Sequence, residues 1–351
     1  MRILGIETSC DETSAAVIDN GNLLSNVVSS SMDLHQKYGG VVPEIAARAQ
    51  IETILPVIKE SLEISKSRWA DIDGIAVTYG AGLGGSLLIG VMTARTLAIV
   101  KDKPLMGCNH VLGHIYVNFI NKTSIKEYMV QEKNPKFPLI AVILSGGHSQ
   151  LVLFRNHLDY TLLGRTQDDA IGEAFDKVAK ILGLPYPGGP SISATALKGD
   201  PSSHMLPKAK VGKYDFSFSG LKTAVLRLAQ AQAGVGFDFP SYNLPERLSE
   251  AQKANIAASF QSTAISSVVD KVLLAYEEYT PRCVLLAGGV AANTMLRESL
   301  ADALPCPLFV PDPKLCTDNG AMIASLGEWQ FKLNKPLANP YLLEIAPNLS
   351  M

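Results

Sequence analysis

The chain has no Cys-x-x-Cys pair. Its five cysteines, at positions 10, 108, 283, 306 and 316, are odd in number and widely spaced. That excludes a disulfide framework and a zinc ribbon, and reads as reduced thiols. Excess positive charge is also lacking: 31 Lys and Arg stand against 33 Asp and Glu, a net charge of −2. Binding of nucleic acid through bulk charge alone is thereby excluded, because phosphate contacts draw on Lys and Arg. Any work on nucleic acid needs a local patch or a partner. No apolar signal-peptide core follows Met1, since a strand-like run begins at Arg2. A cytoplasmic protein is expected. No Gly-Lys-Ser/Thr occurs, so there is no Walker A loop. One uncharged stretch of 21 residues, Gly74 to Ala94, has the length of a membrane span. Glycines 80, 82, 84, 85 and 90 interrupt it, so it reads as strand, loop and helix, with no membrane role.

Of the 351 residues, 47% are hydrophobic and 18% charged, which rules out a disordered chain, a coiled coil and a collagen-like fibre. The length suggests two domains, each able to bury a core without disulfides.

Patterning gives an α/β organisation. Arg2–Ile6 and Ser14–Asp19 read as strands, joined by the polar turn Glu7–Thr13. Asn20-Gly21-Asn22 is a hairpin signal leading to a third strand at Leu23–Ser30. Pro43 opens a helix at its tolerated first position, with Ile51, Ile54 or Leu55, Ile58 and Leu62 as its apolar face. Strand, helix, strand and helix follow to Ile120. Asn121 to Phe137 is polar and reads as a linker. The second block repeats the opening: strand Leu139–Leu144, turn Ser145–Ser149, strand Gln150–Phe154, turn, strand Tyr160–Gly164, then a helix at Asp168–Leu182. Cys283–Leu286 is a strand running into a Gly-Gly turn. The repeat suggests a duplicated α/β architecture with a cleft between halves; two unrelated α/β domains are the alternative.

Three turns could hold phosphate or nucleotide. Glu7–Thr13 and Ser145-Gly146-Gly147-His148-Ser149 offer successive backbone N–H groups, an anion-binding nest. Thr8, Ser9, Ser145 and Ser149 add hydroxyls, and Gly146 and Gly147 allow positive φ. Ordinary hairpin turns are the other reading. Leu286 to Asn293 is a strand-to-helix turn where a base could approach the backbone and Asn293 could bond a ring edge or ribose. Gly80-x-Gly82-x-x-Gly85 matches the dinucleotide fingerprint, but the next strand ends in Gly107-Cys108-Asn109 without the carboxylate that motif needs.

His110 and His114 stand i, i+4 on a helix, so both rings share one face. They could bind one divalent ion with a third ligand, and Asp318 is the best candidate. A zincin is weakened because Val111 stands where its glutamate belongs. His148 is a further polar candidate, while His35, His157 and His204 read as solvated. Asp169, Glu173 and Asp176 share a helix face, either solvated or facing a nucleotide. Pro187-Gly188-Gly189-Pro190 is a tight turn where backbone can approach a ligand.

Together these segments resemble the bacterial tRNA N6-adenosine threonylcarbamoyltransferase family, TsaD, of the actin-like, Hsp70-like and sugar-kinase-like ATPase superfamily. The matching stretches are IETSCDETS (6–14), YGGVVPEIAARAQ (38–50), NHVLGH (109–114), LSGGHSQL (144–151), the run from Asp168 to Pro190, FSFSGLKT (216–223), AGGVAAN (287–293) and CTDNGAMIA (316–324). The resemblance spans essentially the whole chain. It implies two duplicated halves with a central nucleotide cleft: 1–128, with a C-terminal helix at about 318–345 packing back on it, and 136–317. It implies His110, His114 and Asp318 as ligands of one divalent metal, iron or zinc. It implies Leu144, Ser145, Gly146, Gly147, His148, Asp176, Gly189 and Asn293 on the substrate and nucleotide side, and Asp11 and Glu12 as catalytic acids. The implied donor is threonylcarbamoyl-adenylate, with an adenine nucleotide as bound ligand. The implied acceptor is the N6 amine of the adenosine 3′ of the anticodon in tRNA. Implied partners are a TsaB-like paralogue, a TsaE-like ATPase and a TsaC-like enzyme that makes the donor. Three positions depart from the family pattern: Leu112, Gln50 and Ser193.

The expected chemistry is acyl transfer, with Glu12 or Asp11 taking the amine proton and turn N–H groups stabilising developing charge. Lys208, Lys210, Lys213 and Lys222 form either a local basic patch for tRNA or a solvated loop. A small-molecule kinase of the same fold, a metalloprotease and a non-catalytic nucleotide-dependent scaffold are the competing readings.

Overall fold

The computed structural model describes the chain except residues 37, 39 and 131–134. In chain order the elements are β1 (Arg2–Glu7), β2 (Glu12–Asp19), β3 (Asn22–Ser30), α1 (Met32–Gln36), α2 (Pro43–Ile64), β4 (Gly74–Gly80), α3 (Gly84–Val100), β5 (Leu105–Asn109), α4 (His110–Tyr116) and β6 (Lys122–Thr123). Then come β7 (Leu139–Leu144), β8 (Ser149–Asn156), β9 (Asp159–Arg165), α5 (Ile171–Leu182), α6 (Gly188–Ala196), α7 (Ser219–Gln232), α8 (Glu250–Tyr279), β10 (Cys283–Ala287), α9 (Thr294–Ala303), β11 (Leu308–Phe309) and α10 (Gly320–Lys332). They divide into two units, Met1–Pro135 with Pro311–Met351, and Lys136–Val310. The stretch read as a linker contains β6, and its residues 131–134 lie outside the described residues.

Both units carry the same strand plan. In the first, the sheet order is β5-β4-β1-β2-β3-β6; in the second it is β11-β10-β7-β8-β9. Each starts with two antiparallel hairpins, β1-β2-β3 and β7-β8-β9. Each then returns a later strand parallel to the first, β4 beside β1 and β10 beside β7. This is the duplicated actin-like α/β architecture. The β2–β3 hairpin turns where Asn20 and Gly21 both take positive φ, 50° and 75°, the backbone a two-residue hairpin turn demands. β1 and β7 are buried nearly throughout, as expected of strands covered on both faces.

Helix α10 lies against β1 and β2 at backbone contact. A Cβ on Gly5 would sit 2.3 Å from the Ala324 nitrogen, and one on Gly320 would sit 2.6 Å from the Ala16 nitrogen. Only glycine at both places lets the helix start there, and that start sets the position of Asp318. α10 ends at Lys332, well before the expected 345. Asn334 then takes a left-handed φ of 49°, and Pro336 and Pro340 prevent continuation.

Two other expectations need correcting. α2 buries Ile54, Val57, Ile58 and Leu62, but Ile51 and Leu55 are 60% and 61% exposed. At about 100° per residue the apolar positions of α2 split into two stripes, and only one reaches the sheet. Each buried Ile or Leu on that stripe contributes ~1.5–3 kcal/mol. The helix expected from Asp168 starts at Ile171, so Asp168 and Asp169 precede it. Asp168 instead accepts the N–H groups of Phe218 (2.8 Å) and Ser219 (3.2 Å), fixing the start of α7. No helix among the described residues is long and apolar enough to cross a membrane.

Candidate functional site

In the first unit β1, β4 and β5 are parallel, so their C-terminal ends share one sheet edge, the usual ligand edge of an α/β fold. β5 runs directly into α4. The Asn109 side chain caps that helix, accepting the Val111 N–H at 2.8 Å and the Leu112 N–H at 3.2 Å. The cap fixes the first turn of α4, which projects His110 and His114 from one face. Asp318 reaches the same place from the loop before α10. Its Oδ1 lies 3.2 Å from His114 Nε2 and 3.6 Å from His110 Nε2. One ligand atom from each of the three lies within 4.8 Å of the others.

His114 is 2% exposed, and neither ring nitrogen makes a hydrogen bond. Leaving a buried polar atom unpaired costs ~1–3 kcal/mol. A nitrogen so exposed to loss beside a second imidazole and a carboxylate fits a divalent metal ion. The donor set suits zinc or ferrous iron, and three protein ligands are the pattern of sites that keep a position open for a reactant. The electrostatics agree. Burial works against a charged His110, yet Asp318 and Glu7 outweigh it and push its pKa up to about 9. The pocket therefore favours a cation.

Asp11 ends the loop between β1 and β2, and Glu12 opens β2. Burial, then the charges of Asp318 and Asp11, push Glu12 up to about 10. The same burial and carboxylates raise the Cys10 thiol, which is therefore no nucleophile. The loop is held through its carbonyls. Gln50 Nε2 donates to Cys10 O (2.9 Å) and Glu12 O (3.0 Å), and the Ser31 hydroxyl donates to Asp11 O (2.8 Å). Ser31 in turn lies 3.1 Å from His35 Nε2, while His35 Nδ1 accepts the Val42 N–H. His35 is thus fully buried rather than solvated, because it ties the loop to the start of α2. Nor are the Thr8 and Ser9 hydroxyls spare donors: Thr8 donates to Ser86 O at 2.9 Å, and Ser9 Oγ lies 3.0 Å from His110 Nδ1. The glycine fingerprint is filled by the chain's own tail, with Gly82 N–H donating to Pro347 O at 3.1 Å.

In the second unit β7 and β10 are parallel, and the loops leaving Leu144 and Ala287 share one edge. Gly288, with φ of 87°, approaches so closely that a Cβ would lie 2.4 Å from Leu144 O. Ser145 Oγ accepts the His148 N–H at 3.1 Å, and Ser145 N–H donates to His148 O at 2.8 Å. Ser149 Oγ accepts the Ile171 N–H at 2.9 Å, seating α5 behind the turn. Neither Gly146 nor Gly147 uses the left-handed φ open to it. They matter for space instead: a Cβ on Gly146, Gly147, Gly189 or Gly289 would meet nothing within 4 Å.

Asp176 and Asn293 have structural work at this edge. Asp176, its carboxyl pKa raised by burial, accepts the Gly188 N–H at 2.7 Å and so fixes the start of α6. Asn293 Oδ1 accepts the Leu296 N–H at 3.0 Å, and its Nδ2 donates to Ser193 Oγ and Gln261 Oε1, each at 3.0 Å. Its amide caps α9 and ties that cap to Ser193 and Gln261. The acidic face is likewise occupied: Asp169 and Glu173 both pair with Lys177 at 2.8 Å. Three lysines of the expected basic patch are paired as well, Lys208 with Asp270 at 2.6 Å, Lys222 with Asp169 at 2.9 Å, and Lys213 with Glu278.

Sequence reasoning missed Glu7, Gln50 and Ser31 as supports of the first unit's site. The one available signal for Glu7 is a charged residue ending an otherwise apolar strand.

Residues 22–325 match the family model described as tRNA N6-adenosine threonylcarbamoyltransferase. A relative of that name from Thermomicrobium roseum is 50% identical, covering 92% of this chain and 90% of its own. Another from Desulfitobacterium hafniense is 47% identical, covering 100% and 98%. Among solved structures, full-length HypF in its phosphate- and nucleotide-bound form superposes with a TM-score of 0.60 at 13% identity, over 95% of this chain and 56% of HypF. HypF from T. kodakarensis gives 0.59 at 14% identity, over 95% and 48%. These two share the fold.

Proposed function

The chain belongs to the tRNA N6-adenosine threonylcarbamoyltransferase family, and from that premise we propose how its residues carry the reaction. The enzyme is an acyltransferase that moves the threonylcarbamoyl group from threonylcarbamoyl-adenylate to the N6 amine of the adenosine 3′ of the anticodon in ANN-decoding tRNA. The new bond joins N6 to the carbamoyl carbon. The bond broken joins that carbon to the adenylate oxygen, and AMP leaves with the electron pair. The amine gives up one proton.

The observation that carries the site assignment is the buried His114, whose ring nitrogens make no hydrogen bond and whose Nε2 lies 3.2 Å from Asp318 Oδ1 beside His110. These three hold one divalent metal, iron or zinc, which when bound supplies Lewis-acid and orienting chemistry. The Asp11–Glu12 pair takes the amine proton. Burial and the charges of Asp318 and Asp11 raise the Glu12 pKa to about 10; a divalent cation held at the site would oppose that shift and favour the carboxylate form a base requires. In the second unit, the bare backbone at Ser145–His148, Gly189 and Gly289 takes the adenylate, where a side chain would obstruct it. The Ser145 and His148 N–H groups are spent within the turn, so the glycine peptides at this edge are the ones that would meet phosphate and developing negative charge. Leu144 and Asp176 support this edge from beneath.

The enzyme works in the cytoplasm with a TsaB-like paralogue and a TsaE-like ATPase, on donor made by a TsaC-like enzyme. With net charge of −2 and most of its candidate basic patch internally paired, it depends on partners to engage tRNA. The kinase and metalloprotease alternatives draw no support from the family match.

The test is transfer of labelled threonylcarbamoyl from preformed donor to unmodified ANN-decoding tRNA, with partners present, for wild type and His110→Ala, with metal content read in the same samples. Transfer that tracks bound metal and requires His110 is expected. Full transfer by His110→Ala would overturn the site assignment.

A further inference from the structure

Glu7 ends β1 and is fully buried. It is not one of the three residues whose ligand atoms converge, yet three donors crowd its two oxygens. Oε1 accepts the Ser9 N–H at 2.5 Å. Oε2 accepts the Thr78 hydroxyl at 2.5 Å and lies 3.3 Å from His110 Nδ1. A carboxylate can only accept. An unprotonated Nδ1 would set its lone pair against Oε2 with no hydrogen between them. With the hydrogen on Nδ1, the contact becomes a charge-assisted hydrogen bond, and Nε2 keeps its lone pair on the side of Asp318 and His114.

We infer that Glu7 is a positioning residue that selects the Nδ1–H form of His110 and so makes Nε2 the ligating nitrogen. The inference rests on the metal reading of His110, His114 and Asp318. Ser9 Oγ, 3.0 Å from the same Nδ1, is the competing partner, since its hydroxyl could donate and favour the opposite tautomer. The geometry resolves this against Ser9: a hydroxyl can rotate to accept, while a carboxylate cannot donate. Glu7 also bonds the Ser9 N–H, so the same side chain that orients a metal ligand holds the start of the Asp11–Glu12 loop.

Glu7→Gln discriminates. An amide has one acceptor oxygen, so its NH₂ must occupy one of the two carboxylate positions. Facing Ser9 N–H it would meet donor with donor. Facing Thr78 and His110 it finds a hydroxyl that can turn to accept and a nitrogen that can accept if it surrenders its hydrogen. The substitution therefore drives His110 to the Nε2–H form, which cannot ligate. Zn²⁺ titrated against a chromophoric chelator should bind Glu7→Gln ~10–100-fold more weakly than wild type, while Thr78→Val, which leaves the carboxylate its hold on His110, loses less. Histidine ¹⁵N spectra of the metal-free protein should show Nδ1–H for neutral His110 in wild type and Nε2–H in Glu7→Gln. Wild-type affinity in Glu7→Gln, or a neutral wild-type His110 that carries its hydrogen on Nε2, overturns the inference. The second result needs no variant and holds even if Glu7→Gln fails to fold. His114→Ala separates the two layers. If it binds Zn²⁺ like wild type, the metal reading falls and the inference with it. If it loses Zn²⁺ while Glu7→Gln does not, only the role of Glu7 falls.

Discussion

In the first unit the candidate site is a convergence of side chains. His110, His114 and Asp318 bring nitrogen and oxygen within 4.8 Å, with Glu7, Thr78 and Ser9 packed behind them. In the second unit the candidate site is made by leaving side chains out. Gly146, Gly147, Gly189 and Gly289 face open space, and the polar side chains nearby spend themselves on backbone: Asp176 on Gly188, Ser149 on Ile171, Asn293 on Leu296. One sheet edge thus offers concentrated charge and metal donors, and the other offers unobstructed peptide groups. This contrast fits what the proposed reaction would ask of each. A metal needs specific lone pairs, whereas a flat base and a phosphate need room and N–H groups. The first site should break on deleting side chains and the second on adding them.

Deletion gives the largest effect. His114→Ala should lose the metal and lower transfer by ~100-fold or more, the rate equivalent of several kcal/mol of charge stabilisation. Atomic absorption on purified protein and single-turnover transfer check this together. Retained metal with lost transfer would locate the damage elsewhere than at a ligand.

Addition in the second unit should act through donor binding. Gly146→Val puts a side chain where nothing lies within 4 Å, so the fold should tolerate it, with the melting temperature close to wild type. The KM for threonylcarbamoyl-adenylate should rise by ~10-fold, about 1.4 kcal/mol of lost contact, with metal content unchanged. Gly172→Ala is the contrasting control, because its Cβ would lie 2.7 Å from Ser145 O. That substitution should cost ~1–3 kcal/mol of stability through overpacking. If Gly146→Val unfolds the protein and leaves KM untouched, the open-edge reading of the second unit is wrong.

These differences also explain what could be read from sequence. Local signals were legible: the Asn20-Gly21 turn, Pro43 at the start of α2, and the i, i+4 spacing of His110 and His114 all depend on neighbours within a few residues. The repeated strand-turn-strand opening is equally local, and it exposes the duplication. What escaped depends on contacts between distant segments. Glu7 meets Thr78 across 71 residues and His110 across 103. Asn293 is claimed by Ser193 and Gln261, and no local pattern announces that its amide is already used. Ile51 and Leu55 look like core because periodicity counts apolar residues without knowing which stripe meets a sheet. Asp318 is legible from its place just before a helix, while the geometry that brings it to the histidines is set by that helix docking on glycines at 5 and 320.

Titration separates the units by their charge. Glu12 moves from an ordinary 4.5 to about 10, through burial first and then the charges of Asp318 and Asp11. Across that window the unfolded chain has released the proton that the folded chain keeps, so stability falls as pH rises. Asp176 in the second unit is also raised, by burial, and adds a slope of the same sign. The two differ in what a cation does to them. Metal bound beside Asp318 would oppose the proton on Glu12 and should flatten its share of the slope, while Asp176, whose shift comes first from burial, keeps its own. Melting temperatures measured from pH 5 upward, with and without Zn²⁺, resolve the pair. Glu12→Gln should flatten the metal-free profile and abolish most of the change that Zn²⁺ makes to its shape; Asp176→Asn should leave that change intact. An unaltered profile in Glu12→Gln would mean that Glu12 does not hold its proton in the folded enzyme, and the base in the transfer reaction would then need no cation beside it to be ready.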